Sequence, residues 1–584
     1  MKSFLKIMLA TMVGMLLMGV LTFLFFIIIG ALSMSGSVAV KPNSVLIADL
    51  RQVMVEERIS SDDPQFMRMV GQEGGTIGLN DWNEVLKKAS EDPHIKGISL
   101  ELGGLGAAPA TLESMRNALL RFRESGKFVY AYGIGMSQGE YFLATAADSV
   151  FMHPMGSLMF NGLSAQVLFY KELLDRLDVD VQVVRHGTFK SAVEPFTSRK
   201  MSGANREQVT EYLQSVWSVY CKGIATARKI DEKSVRVVAD NLMLYDNPHA
   251  ALSTRFVDGL AYEDSYRSLL KKRVKPRDTA SVGEVAYSDY LRNISANSSA
   301  PYKVAVVYAT GTVVDGEGGK DEIGSDMLET LRNLREDKAV KAVVLRINSG
   351  GGSGVMSERI WREVSLLKRD RPVVVSMGDY AASGGYYMAC AADCIVAEPT
   401  TITGSIGVFW MVPSLGRTLS RKLGVDVETV NTNSSSDWMG GLRTMTEFEY
   451  DIVQQSVDRF YDTFVRRVAD GRRLGVRYVD EIAQGRVWTG EQALGKGLVD
   501  TLGGLDVAIR IAADQAKLSK YSVIERPVMD SFFSRMMTAM SGARAVRNSR
   551  NALPAAFAPY CELERTLRGR SGVQAMLPYQ ITIR

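Results

Sequence analysis

The chain has 584 residues, of which 46% are hydrophobic and 23% charged, with a formal net charge of +4. A single hydrophobic core stops growing well short of that length, so two or three domains are expected, and the apolar fraction excludes a disordered chain. The charge is nearly balanced and no dense block of Lys and Arg stands out, which argues against nucleic acid as a partner. The cysteines are Cys221, Cys390, Cys394 and Cys561. None forms a CxxC pair, so no disulfide framework or zinc site is implied, and they read as small buried apolar residues. Cys390 and Cys394 fall in a helix-like stretch where they could share a face. The histidines are His94, His153, His186 and His249, and the second half has none.

The first element is apolar. Lys2 and Lys6 precede a stretch from Ile7 to Val40 without a charge. A run of that length can span a bilayer as one helix, whereas a cleavable signal peptide usually has an apolar region of about 7–15 residues. Small residues at Ser37-Val38-Ala39 leave cleavage open, but an uncleaved anchor is the preferred reading. The lysines ahead of the span place the N-terminus inside and the rest outside, in the periplasm of a bacterium with two membranes.

Beyond the anchor the chain repeats itself. Residues 95–133 (IKGISLEL…FVYAYG) resemble residues 340–378 (VKAVVLRI…VVVSMG), each reading as strand, Gly-rich turn, amphipathic helix and strand. Asp148 corresponds to Asp393, LLDRLDVDVQVV to LSRKLGVDVETV, and FVDGLAYED to LVDTLGGLD. Alternating strands and helices, with strands as short β-branched runs such as VAVVYA and PVVVSM, predict an α/β architecture with largely parallel strands. The polar stretch YLRNISANSSAP reads as a linker. The expected division is anchor and linker 1–40, first repeat 41–295, second repeat 296–525 and a basic tail 526–584 to which the sequence assigns no role.

Two glycine-rich segments in the second repeat invite chemistry, Asn348–Gly354 (NSGGGSG) and Asp379–Ala389 (DYAASGGYYMA). A serine on a turn before a helix exposes its hydroxyl, and glycine turns aim backbone N–H groups at an oxyanion. Ser383 fits such a nucleophile, with Gly384 and either Gly351 or Gly352 as oxyanion donors. In the first repeat the place of Ser383 is taken by Gln138. A serine needs a base, and the first repeat offers HGTFKSAVEPF after the strand DVQVV, where Lys190 stands opposite Ser436 of the second repeat. One repeat keeps a serine, the other a lysine. Lysine acts as a base at neutral pH only if burial or a nearby positive charge lowers its pKa. The residues alone leave open a solvated loop lysine, and they leave His186 as a rival base.

At these segments the chain resembles signal peptide peptidase A of the long, duplicated type, also called protease IV, in serine peptidase family S49. The matching pieces are GTFKSAVEPF around Lys190, INSGGGSG at Ile347–Gly354, GDYAASGGYY around Ser383, TGSIGVF at Thr403–Phe409 and GRVWTGEQALGKGLVD at Gly485–Asp500. One departure is Gly350, where the family usually has proline. The resemblance implies a ClpP/crotonase-like fold in each half and a Ser–Lys dyad of Ser383 and Lys190 assembled across the halves. It suggests Ser405 as a residue orienting the lysine, and it implies no metal or cofactor. It further implies a homotetramer at the bacterial inner membrane that degrades cleaved signal peptides and other hydrophobic or unfolded segments. Two alternatives are an acyl-CoA enzyme of crotonase type, disfavoured by the outward-facing domains, and a non-catalytic membrane scaffold with vestigial sites.

Overall fold

Short β-branched runs build a parallel sheet in each half, and helices on the sheet faces leave those runs buried almost throughout. The computed structural model describes residues 40–59, 75–274, 282–294, 300–319 and 321–529, positions 8, 11–15, 17–19 and 21, and the backbone of 574–576. The expected membrane span Ile7–Val40 lies for the larger part outside the described residues, and no helix among those described is long and apolar enough to cross a membrane.

In the first half the strands lie in the order Gly259–Leu260, Ser149–Met159, Phe128–Ser137, Ile95–Leu102, Ser44–Asp49 and Gly283–Ala286, all parallel. The second half repeats this order with Thr501–Leu502, Cys394–Ala397, Val373–Ala382, Val340–Ser349, Lys303–Thr310 and Ser522–Arg526. Each half also carries a 26-residue helix, Gly203–Arg228 and Glu447–Arg472. Ser202 caps the first and Thr446 the second, and both end on a left-handed residue, Lys229 and Arg473. The duplication read from the sequence is therefore a duplication of the α/β fold.

A third sheet joins the halves. Strand Asp180–His186 of the first half pairs antiparallel with Val408–Ser414 of the second, from Val408 opposite His186 to Ser414 opposite Asp180. Around this ladder Leu174, Val179, Val193 and Phe196 pack on Phe409 and Met411. Polar contacts fasten the halves elsewhere. Thr111 donates its N–H and hydroxyl to Asp379, and Arg346 forms a buried bidentate pair with Glu57.

Two local expectations change. The segment read as a glycine turn forms a short strand, Gly351–Ser353, because Gln574–Met576 from the tail pairs with it antiparallel and also reaches Phe409 of the neighbouring strand. Cys390 caps the helix Gly384–Ala389 while Cys394 opens a strand, so the two share no helix face, although both are buried.

Phe409 is fully buried at the junction. Phe409→Ala is expected to cost about 3–5 kcal/mol through the cavity it leaves. Urea unfolding would read this as a lowered midpoint at an unchanged m-value.

Candidate active site

Strand Val373–Ala382 runs into helix Gly384–Ala389 with a single residue between them, Ser383. The turn is sharp enough to hold Ser383 at φ 56°, ψ −116°. A non-glycine residue in such a conformation stores of order 1–3 kcal/mol and persists only where its surroundings over-determine it. Here the Ser383 N–H donates to Gly404 O (2.8 Å) and the Ser383 carbonyl accepts from Tyr387 N (2.8 Å). Gly385 lies so close beneath that a Cβ there would come within 2.7 Å of Ser349 O.

The lysine arrives from the other half. After strand Asp180–His186 the chain turns, Phe189 N donates to Gln484 O (2.8 Å) and Lys190 N to Gly187 O (3.3 Å). Gly485, at φ 76°, faces this turn, and a Cβ on it would stand 2.7 Å from Lys190 Cα. The Lys190 side chain is fully buried. Its Nζ lies 2.6 Å from Ser383 Oγ, 3.0 Å from Ser405 O and 3.0 Å from Ser405 Oγ. A neutral amine has two N–H donors and one lone pair. A neutral amine here would give its two donors to the oxygens of Ser405 and turn its lone pair to the Ser383 hydroxyl. Burial alone, with no carboxylate at the amine, pushes the Lys190 pKa well below the ordinary lysine value.

The other residues singled out from the sequence separate from this pair. His186 Nδ1 is 2.7 Å from Asp458 Oδ1, and its ring stacks on Tyr461 with centroids 3.9 Å apart. Gln138 turns its amide onto the chain, accepting from Asn161 N and Gly162 N and donating to Gly162 O. Ser436 is exposed and accepts from Asn433 N. Among the oxyanion candidates, Gly384 opens its helix, where an N–H has no intrahelical acceptor. Gly351 donates its N–H to Ser349 Oγ (3.1 Å), and Gly352 pairs with Ala575 in the mixed sheet. Sequence reasoning passed over Gln208, whose amide donates to Phe189 O (3.1 Å) and Ser191 Oγ (2.8 Å) on either side of the lysine. It also gave no role to Arg486 inside a quoted motif.

The sequence matches Peptidase family S49 over residues 121–277 and 365–519, one segment in each half. It is 36% identical over 475 residues to Protease 4 of Salmonella typhi, covering 80% of this chain and 76% of that protein. It is likewise 36% identical over 442 residues to Protease 4 of Haemophilus influenzae, covering 73% and 71% of the two chains. A third relative is the chloroplastic serine protease SPPA of Arabidopsis thaliana, 32% identical over 453 residues, with 76% of this chain and 66% of that protein covered.

A lysine neutral in the fold and protonated when unfolded makes the unfolded state bind one more proton. Stability therefore rises with pH, by about 1.4 kcal/mol per unit, from the lowered pKa of Lys190 up to the free-lysine range. Denaturant titrations across pH should show Lys190→Met flattening this slope and raising stability at neutral pH.

Proposed function

The chain belongs to peptidase family S49, and from that premise we propose that it is a membrane-associated endopeptidase with Ser383 as nucleophile and Lys190 as general base. At the coarser level it is a serine peptidase of the signal-peptide-peptidase type. The observation that carries the finer reading is the 2.6 Å separation of Lys190 Nζ and Ser383 Oγ around a buried amine without a counter-ion.

The cycle is acyl transfer. Neutral Lys190 takes the Ser383 proton as Oγ attacks the scissile carbonyl carbon. The oxyanion draws on the N–H of Gly384, with Gly351 or Gly352 as second donor once released from Ser349 Oγ or from the tail strand, and losing one such donor typically costs about 10²–10³ in rate. Ser405 keeps the amine aimed at the serine. Protonated Lys190 then gives its proton to the departing amine, and water, activated by the same lysine, hydrolyses the ester.

A substrate would bind extended. The chain's own Gln574–Met576 pairs antiparallel between Gly351–Ser353 and Val408–Ser414, and a substrate strand would take its place there. Strand addition of this kind reads main chain, leaving selectivity to side-chain pockets. The substrates proposed are cleaved signal peptides and other hydrophobic or unfolded segments. The stretch Ile7–Val40 would hold the enzyme at the bacterial inner membrane with both halves in the periplasm, and a homotetramer is the proposed assembly.

Cleavage of a hydrophobic reporter peptide tests the dyad. Ser383→Ala and Lys190→Ala should each lower kcat/KM by at least about 10⁴-fold, while His186→Ala keeps turnover. A fluorophosphonate should label Ser383. With increasing pH, kcat/KM should climb as Lys190 loses its proton. Turnover surviving in Ser383→Ala, or lost in His186→Ala but not in Lys190→Ala, would sink the assignment.

A further inference from the structure

A short piece of second-half backbone lies between the two parts of the dyad. Gln484 O accepts from Phe189 N (2.8 Å), Gly485 N donates to Ile406 O (2.8 Å) and Arg486 O accepts from Ser405 N (2.7 Å). The piece thus bonds to the residue before the lysine and to the residue that holds the amine. The Arg486 side chain fixes it to helix Gly203–Arg228. The guanidinium pairs with Glu207 (2.8 Å) and Glu211 (2.7 Å) and lies over the rings of Phe189 (4.4 Å) and Trp488 (4.8 Å). From the same helix Gln208 donates to Phe189 O and Ser191 Oγ and accepts from Val487 N (3.3 Å). One turn of a first-half helix therefore grips both flanks of Lys190 and the segment behind Ser405.

The duplication separates these two residues from the common scaffold. Aligning the helix caps Ser202 and Thr446 sets Gln208 against Ile452. Aligning the left-handed residues Leu242 and Gln484, both at φ 52°, sets Arg486 against Leu244. The copy of each element that serves no serine–lysine pair has an aliphatic residue instead. Leu244 is fully buried and Ile452 exposed, so neither counterpart makes polar contacts of this kind, and the polar pair occurs where the lysine is delivered.

We propose that Arg486 and Gln208 are positioning residues that lock the Lys190 turn and the Ser405 turn into one dry block, keeping the amine on Ser383 and out of water. This deepens the Ser–Lys reading and rests on it. Exclusion of water matters because burial is the one influence on the amine. The charged groups on the elements packed around it are all otherwise engaged. Arg185 bonds to the Lys190 carbonyl (3.4 Å), Glu194 takes Ser202 N and the Asn205 amide, His186 pairs with Asp458, and Asp480 accepts from Tyr461 and Gln484.

The experiment follows kcat and KM against pH for the full-length wild type, Arg486→Ala, Arg486→Lys and Gln208→Leu, with folded sites counted by fluorophosphonate labelling and melting followed in parallel. Looser packing lets water reach the amine and raises its pKa. The acid limb of kcat should move to higher pH by about one unit, and kcat at neutral pH should fall about tenfold while KM holds within about twofold. Raising the pH should restore kcat. Arg486→Lys should resemble Arg486→Ala, because lysine has neither the fork nor the planar face. A folded variant whose acid limb stays in place, with activity lost only in proportion to unlabelled sites, overturns the proposal and leaves a structural role. A wild type with no acid limb would overturn the Ser–Lys reading itself.

Discussion

The structure turns on an amine kept out of water without a counter-ion. A buried ammonium costs several kcal/mol even after relaxation, and a lysine in that position sheds its proton instead. The neutral amine is a base, and it is easily satisfied, needing two acceptors for its hydrogens and one donor for its lone pair. Ser405 supplies both acceptors from one residue, and the Ser383 hydroxyl, 2.6 Å from the amine, would donate to its lone pair. Dryness and geometry are therefore one requirement. Water at the amine would raise its pKa and compete for the lone pair to which the proposed mechanism brings the Ser383 proton.

That requirement explains how the two copies of the fold diverged. In the first half, Gln138 in the place of Ser383 starts its helix behind a capping box of Ser137 with Glu140, and it is not among the residues at positive φ. In the second half the entry residue is Ser383 at φ 56°, with no side-chain cap. Relaxation at one copy and strain at the other fit a site maintained in one place only. The first copy has also closed, since the Gln138 amide occupies the Asn161–Gly162 turn. The counterpart of the lysine arm ends at Ser436, exposed and within reach of its own turn alone.

What was legible in the sequence follows from how far each signal reaches along the chain. The runs at Val304–Ala309 and Val373–Ser376 announce buried strands from their own side chains, and the offset between repeats follows from copies of such runs. Ser383 and Lys190 were found because each is missing from the other repeat. The burial of Lys190 was not legible, since the residues that exclude water, among them Gly407 and Gly485, lie more than two hundred positions away. Gln208 carries no local pattern, being one polar residue on a long helix whose partners come from two distant segments. The Gly351–Ser353 strand was hidden because its partners, Thr312–Val313 and the tail, lie far along the chain. His186, left open as a rival base, is paired with Asp458, a partner 272 positions away that no local pattern announces.

The division of the site between halves makes one strand pair into its gauge. Val408 stands opposite His186 in the antiparallel ladder. Three residues before Val408 is Ser405, and four residues after His186 is Lys190, so a single register fixes the distance between the amine and its acceptors. A slip of one residue would shift the lysine turn by about 3.4 Å and turn the strand over. Either change exceeds what a 3.0 Å hydrogen bond to Ser405 tolerates. The slip is opposed by what it would unbury. Val184 is fully buried on one face of the strand, and on the other half of the ladder Phe409 and Met411 are locked against Leu174 and Phe196. Apolar burial that carries no chemistry thus sets the distance on which the chemistry depends, and it can do so only because the strand that delivers the lysine and the strand that follows the serine turn come from different copies of the fold.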